Sequence, residues 1–171
     1  MTAADVASAV DEFLRTPKTA IGVEVPMAWA NGYSPYEKVI HFPLEVNGEQ
    51  TGAQLMIVGF PDASILKFRV GLLFPGAVCR LDHTDEVHPN AHRILEDNVP
   101  IIVRGPHYHS WRVNRRFCRA GNLPPKLHNA EEFVTGARSF DAILRWFCAD
   151  NNIVGLGPDH RIELPRPERL L

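Results

Sequence analysis

Cysteine is scarce in this chain, and its three copies, Cys79, Cys118 and Cys148, show neither an even count nor a Cys-x-x-Cys spacing. That argues against a disulfide framework and against a cysteine-built zinc site, and it leaves reduced thiols. Long hydrophobic runs are missing as well. No segment approaches the ~18 uninterrupted apolar residues of a membrane span, and the N-terminal stretch lacks the basic and apolar regions of a secretory signal. A cytoplasmic protein with no membrane partner is expected. A third absence is local: from residue 98 to residue 130 there is no acidic side chain, while Arg104, Arg112, Arg115, Arg116, Arg119 and Lys126 lie there with His107, His109 and His128. The net charge of -2 conceals this cationic window. Just before it, Asp82, Asp85, Glu86, Glu96 and Asp97 surround His83, His88 and His92. The two stretches either neutralise each other or leave a positive groove for phosphate or nucleic acid.

What is present sets the fold. A length of 171 residues with 45% apolar content suits one well-buried core, so one domain spanning residues 1–171 is expected. Fourteen prolines and twelve glycines are scattered along the chain and read as turn punctuation. Thr2 can cap a helix over residues 2–15, with Asp5 at the capping-box position and Val6, Val10, Phe13 and Leu14 on one face. Strands are predicted over 21–29, 38–46, 55–60, 66–72 and 77–81, with 99–104 a further apolar run. Asn47-Gly48 marks a hairpin, and Gly52 points to a longer or bulged connection. Ser139 can cap a second helix carrying Phe140, Ile143, Leu144 and Phe147, and Asn129 a shorter one before it. From Gly155 onward the proline content predicts irregular structure. The pattern therefore predicts an α+β fold with an N-terminal helix, an antiparallel β meander of four or more strands, and a C-terminal helix.

Five of the eight histidines fall between positions 83 and 109, and the last two close the segment Gly105-Pro106-His107-Tyr108-His109. Alternation along a strand puts His107 and His109 on one side and Tyr108 on the other. Imidazole titrates near neutral pH and is the commonest metal ligand, so three chemistries stay open. In the first, His107 and His109 share acid and base roles on a phosphodiester, most naturally RNA, while Arg112, Arg115 and Arg116 bind phosphate and Trp111 or Tyr108 stacks on a base. In the second, the same arginines and aromatics form an interaction patch for nucleic acid or a protein partner, with no catalysis. In the third, His107 and His109 ligate zinc, iron or manganese together with His83, His88, His92 or Asp82, since catalytic zinc commonly takes three protein ligands and one water. The spacing of His88 and His92 would suit a helix, but Pro89-Asn90 favours a turn.

The segments Arg80-Leu81-Asp82, His88 with Asn90, and Gly105-Pro106-His107-Tyr108-His109 resemble a pattern found in a poorly characterised bacterial family met on plasmids and phages. The resemblance covers about a third of the chain and implies a small cytoplasmic protein of mobile-element or defence neighbourhoods. The helix, the meander and His88-Pro89-Asn90 are also similar in layout to ubiquitin-conjugating enzymes. Where that family's catalytic cysteine is expected stands Asn98, so the resemblance implies a fold shared with non-conjugating relatives. A cupin would carry a glutamate a few residues beyond His109, and Trp111-Arg112-Val113-Asn114 stand there instead.

Overall fold

The computed structural model describes residues 1–24, 26–90, 99–156 and 162–167. It opens with helix α1, Ala3–Arg15, whose start is fixed by a reciprocal capping box: the Thr2 hydroxyl accepts from the Asp5 amide, and the Asp5 carboxylate accepts from the Thr2 amide. Its apolar stripe, Val6, Ala7, Val10 and Phe13, is buried. Two short strands follow, β1 (Lys18–Ala20) and β2 (Ala30–Asn31), in place of the single strand expected over 21–29. Gly22, with φ 71°, takes the chain out of the extended conformation directly after β1.

The meander comprises β3 (Lys38–Val46), β4 (Glu49–Gly59), β5 (Phe68–Phe74) and β6 (Gly76–His83), each antiparallel to the next. Asn47 and Gly48, with φ 53° and 81°, make the two-residue turn between β3 and β4. The connection is thus short, and the irregularity foreshadowed by Gly52 lies inside β4, where the pairing register with β3 shifts between Pro43 and Glu45. Beyond β6 come β7 (Val87–Pro89) and β8 (Ile102–Arg104), which pair with each other as a separate ribbon, and β9 (His107–His109), which pairs antiparallel with β6. A one-turn helix α2 (Trp111–Asn114) and a 3₁₀ turn (Arg115–Phe117) lead to β10 (Glu131–Glu132), then α3 (Phe140–Asp150), capped by Ser139, and β11 (Ile153–Val154). The short helix expected after Asn129 is absent: the Asn129 amide donates to the Asn114 side chain instead, and the chain runs on as β10 beside β9.

The main sheet runs in the order β10-β9-β6-β5-β4-β3-β1-β11, with β2 paired to β3 and, among the described residues, only the β1 to β11 pair parallel. The protein is therefore a mixed α+β structure with a large, mostly antiparallel sheet, and among the described residues no helix is long and apolar enough to cross a membrane.

Both long helices pack on one face of the sheet. Phe13 of α1 stacks on Phe74, and Phe140 of α3 meets Phe68 edge to face. Phe42, Leu55, Ile57, Val70, Leu72, Leu81 and Phe147 fill the layer between, each contributing about 1.5–3 kcal/mol by leaving water. The opposite face holds the polar chemistry. Cross-strand partners share a face, and the register pairs Arg69 with Asp82 and Asp82 with His107, and in the next row Gly71 with Arg80 and Arg80 with His109. Two rows of charged and imidazole side chains thus lie side by side on the surface turned away from the helices, covered in part by the β7-β8 ribbon.

Candidate functional site

Strand parity on β9 sends His107 and His109 to this face and Tyr108 to the core, as expected from the sequence. The ribbon brings His88 over them. The His88 ring lies 5.1 Å from that of His107 and 4.6 Å from that of His109, centroid to centroid. One nitrogen from each of His88, His107 and His109 lies within 4.8 Å of the others, close enough to hold a metal ion. His109 is wholly buried, His107 is 4% exposed, and His88 is half-buried.

Each imidazole is also held from behind by a main-chain carbonyl. His107 Nδ1 donates to Gly105 O at 2.8 Å, His109 Nδ1 to Asn129 O at 3.0 Å, and His88 Nε2 to His128 O at 3.5 Å. In a neutral imidazole, such a bond places the single N–H on the outer nitrogen and leaves the inner nitrogen as an acceptor. Asp82 completes the group. Its Oδ2 lies 3.3 Å from His107 Nε2 and 3.5 Å from His109 Nε2, while Arg69 Nε donates to Oδ1 at 2.7 Å and Arg80 Nε to Oδ2 at 2.9 Å. Burial works against the Asp82 charge, but the contacts from His107 and His109 and the charges of Arg80 and Arg69 outweigh it and hold the carboxyl well below the usual range. Burial pushes His109 down to about 4 and lowers His88 as well, the latter helped by neighbouring His107. His109 is therefore neutral at physiological pH. Arg80 Nη2 donates to its Nε2 at 3.1 Å.

The carbonyls behind the rings are themselves fixed. The Asn114 amide donates to Asn129 O and Ser110 O, and accepts from the Asn129 amide. Asn90 brackets Ala130 in the same manner, accepting from its N–H at 2.7 Å and donating to its carbonyl at 2.9 Å. The loop bearing the His88 and His109 acceptors is thus clamped by two buried asparagines.

The other residues singled out from sequence lie elsewhere. His83, one position past Asp82, falls on the helix side of the sheet by alternation, stacks on Phe68 and bonds to Leu66 O, so it is not among the three converging histidines. His92 lies outside the described residues. Tyr108, buried on the helix side, donates to Asp150 and stands edge-on to Trp146. Trp111 Nε1 donates to Asp11, Arg115 makes three bonds to the same carboxylate through Nε and Nη2, and Arg112 pairs with Glu131. Arg116 is exposed on the 3₁₀ turn. Trp111, Arg112 and Arg115 line a separate cleft, shared with Trp146 and Asp150. Arg69 and Arg80, by contrast, belong to the histidine site. Only the register between β5, β6 and β9 reveals them, and strand alternation alone does not report which strands are neighbours.

Comparison with protein-family models, with curated proteins and with solved structures finds no match. The chemistry of the site rests on its own geometry.

Proposed function

We propose that His88, His107 and His109 ligate a divalent transition metal ion and that the protein is a histidine-ligated, metal-dependent enzyme of hydrolytic type. The observation that carries this reading is the convergence of the three imidazoles: one nitrogen of each lies within 4.8 Å of the others, with a main-chain carbonyl behind each ring. Outer-nitrogen bonds to main-chain carbonyls are the usual means by which metal-ligating histidines are oriented.

Three imidazole ligands suit zinc or iron better than manganese, which prefers oxygen ligands. Held by His88, His107 and His109, such an ion would supply a Lewis acid. The protein's own contribution is positional: Gly105, Asn129 and His128 carbonyls set the tautomers, and Asp82, anchored by two guanidinium groups, places negative charge beside the ligand nitrogens. Loading requires Arg80 to leave the His109 lone pair while keeping its two contacts with Asp82.

That Arg80 contact favours a second reading, in which the site works without metal. His107 and His109 then act as proton donor and acceptor on a phosphodiester such as RNA, with Asp82 orienting His107. Elemental analysis of untagged, extensively dialysed protein separates the two. One ion per chain, lost in His107→Ala and His109→Ala but retained in His83→Ala, is the expected result. A protein that stays metal-free after incubation with zinc, iron and manganese and renewed dialysis would overturn the metal centre.

A further inference from the structure

A small cleft opens beside the histidines, about 120 Å³ in volume and bordered by Lys67, Arg69, Arg80, Asp82, His88 and His107. It is several times smaller than the ~300–1,000 Å³ pockets that enclose a drug-sized ligand, so it has room for a head group and leaves the remainder of a ligand outside. Its charge is unbalanced. Lys67 is matched by Glu86 at 2.6 Å, but the single carboxylate of Asp82 faces both Arg69 and Arg80. A divalent ion on the three neutral imidazoles would raise the excess to about three positive charges, in a recess partly shielded from water.

The donors for an anion are already in place. Arg69 spends only Nε on Asp82, and among the described residues no hydrogen bond uses its two terminal nitrogens. The side chain is 34% exposed, and its guanidinium lies over the Phe60 ring, 6.0 Å from the centroid. A guanidinium held at Nε and supported on an aromatic face presents its remaining N–H groups in a fixed fork, the geometry that matches an oxyanion with two parallel bonds. Arg80 sits opposite Gly71 in the β5-β6 pairing and borders the same cleft.

We propose that this cleft binds a dianionic phosphate group of the substrate, with the Arg69 fork as its anchor and Arg80 as the second cation. This inference rests on the metal reading for part of its charge and goes beyond it by naming the substrate class. A dianion offsets an excess of three charges better than a carboxylate does, which favours phosphate over a carboxylic acid. The arginines of the other cleft are spent on Asp11 and Glu131 and do not reach this site.

The test is calorimetric titration of inorganic phosphate into the full-length protein at low salt, with acetate as the comparison and metal content measured on every sample. One phosphate per chain is expected, with acetate at least tenfold weaker. Arg69→Gln should weaken phosphate at least tenfold when compared with parent protein at equal metal content. Arg69→Lys, which keeps the charge and loses the fork, should fall between; thermal unfolding of both variants verifies that they are folded. Equal affinity for acetate, or phosphate binding indifferent to both Arg69 variants, would overturn the proposal. Protein that holds metal but takes no phosphate rejects the phosphate cleft and keeps the metal centre. Protein that binds no metal yet shows phosphate binding dependent on Arg69 does the reverse.

Discussion

Lys18 is wholly buried, an unusual setting for an ammonium group, and its surroundings explain why it is tolerated. It lies just past the end of α1, where helix carbonyls lack partners, and its Nζ donates to Phe13 O at 2.7 Å, Thr16 O at 2.6 Å and, at longer range, Leu14 O. A cation at a helix C-terminus also meets the negative end of the dipole. Burial nonetheless brings its pKa down from 10.5 to about 8. The consequence for stability has a definite sign. Between about 8 and 10.5 the unfolded chain holds a proton on Lys18 that the folded chain has released, so this residue's contribution to stability rises with pH across that window and is flat below it. Lys18→Met should lose about 1–3 kcal/mol at pH 7 through the lost bonds to Thr16 O and Phe13 O. Its deficit against the parent should then widen from pH 8 to pH 10. Urea denaturation of both proteins across that range measures it, and a constant or shrinking difference would show that the carbonyl cage keeps Lys18 charged. Nothing in the sequence pattern marks this lysine, because its environment depends on where α1 ends relative to β1.

At the scale of elements, the site is the product of two strands in register and one clamped loop. Parity on β9 was readable from the His-x-His spacing, as were α1, α3 and the Asn47-Gly48 hairpin, since each is written in a local period or a turn dipeptide. Asp82 stood among the candidate ligands, but the partnership of Arg69 and Arg80 with the histidines was not readable, because it depends on β9 returning to lie beside β6 after the β7-β8 ribbon. The same limit hid Asn90 and Asn114, whose worth lies in bonds to residues 40 and 15 positions away. The loop they hold carries the carbonyl that orients His109, so its loosening should be felt at the proposed metal centre. Asn114→Ala is expected to weaken zinc affinity about 10–100-fold, the usual effect of removing a group that supports a ligand, and to cost about 1–3 kcal/mol in stability. Competition against a chromophoric chelator gives the first quantity and urea unfolding the second. If stability fell while zinc affinity held, the loop would be a structural clamp only, and His109 would be oriented by its own burial.

For the molecule as a whole, one sheet divides the labour: the helix-covered face supplies the hydrophobic core, and the other face, with three imidazoles packed beside the buried charge of Asp82, is expensive to assemble. An ion that binds only the folded chain should therefore stabilise that fold. The magnitude follows from mass action. At a free ion concentration of 100 times Kd the gain is about 2.7 kcal/mol, and each further tenfold adds about 1.4 kcal/mol. In a domain of this length 1 kcal/mol moves Tm by about 2–4 °C, so chelation should lower Tm by about 5–10 °C from that loaded state, and titrating zinc back should raise it by about 3–6 °C per decade. His88→Ala, which removes one ligand from the half-buried ribbon and leaves the core intact, should flatten that dependence while the metal-free Tm stays within a few degrees of the parent. A melting temperature indifferent to both chelator and zinc would mean that the cost of the polar face is met internally, by Arg69 and Arg80 on Asp82, and the site would then be the metal-free acid/base pair.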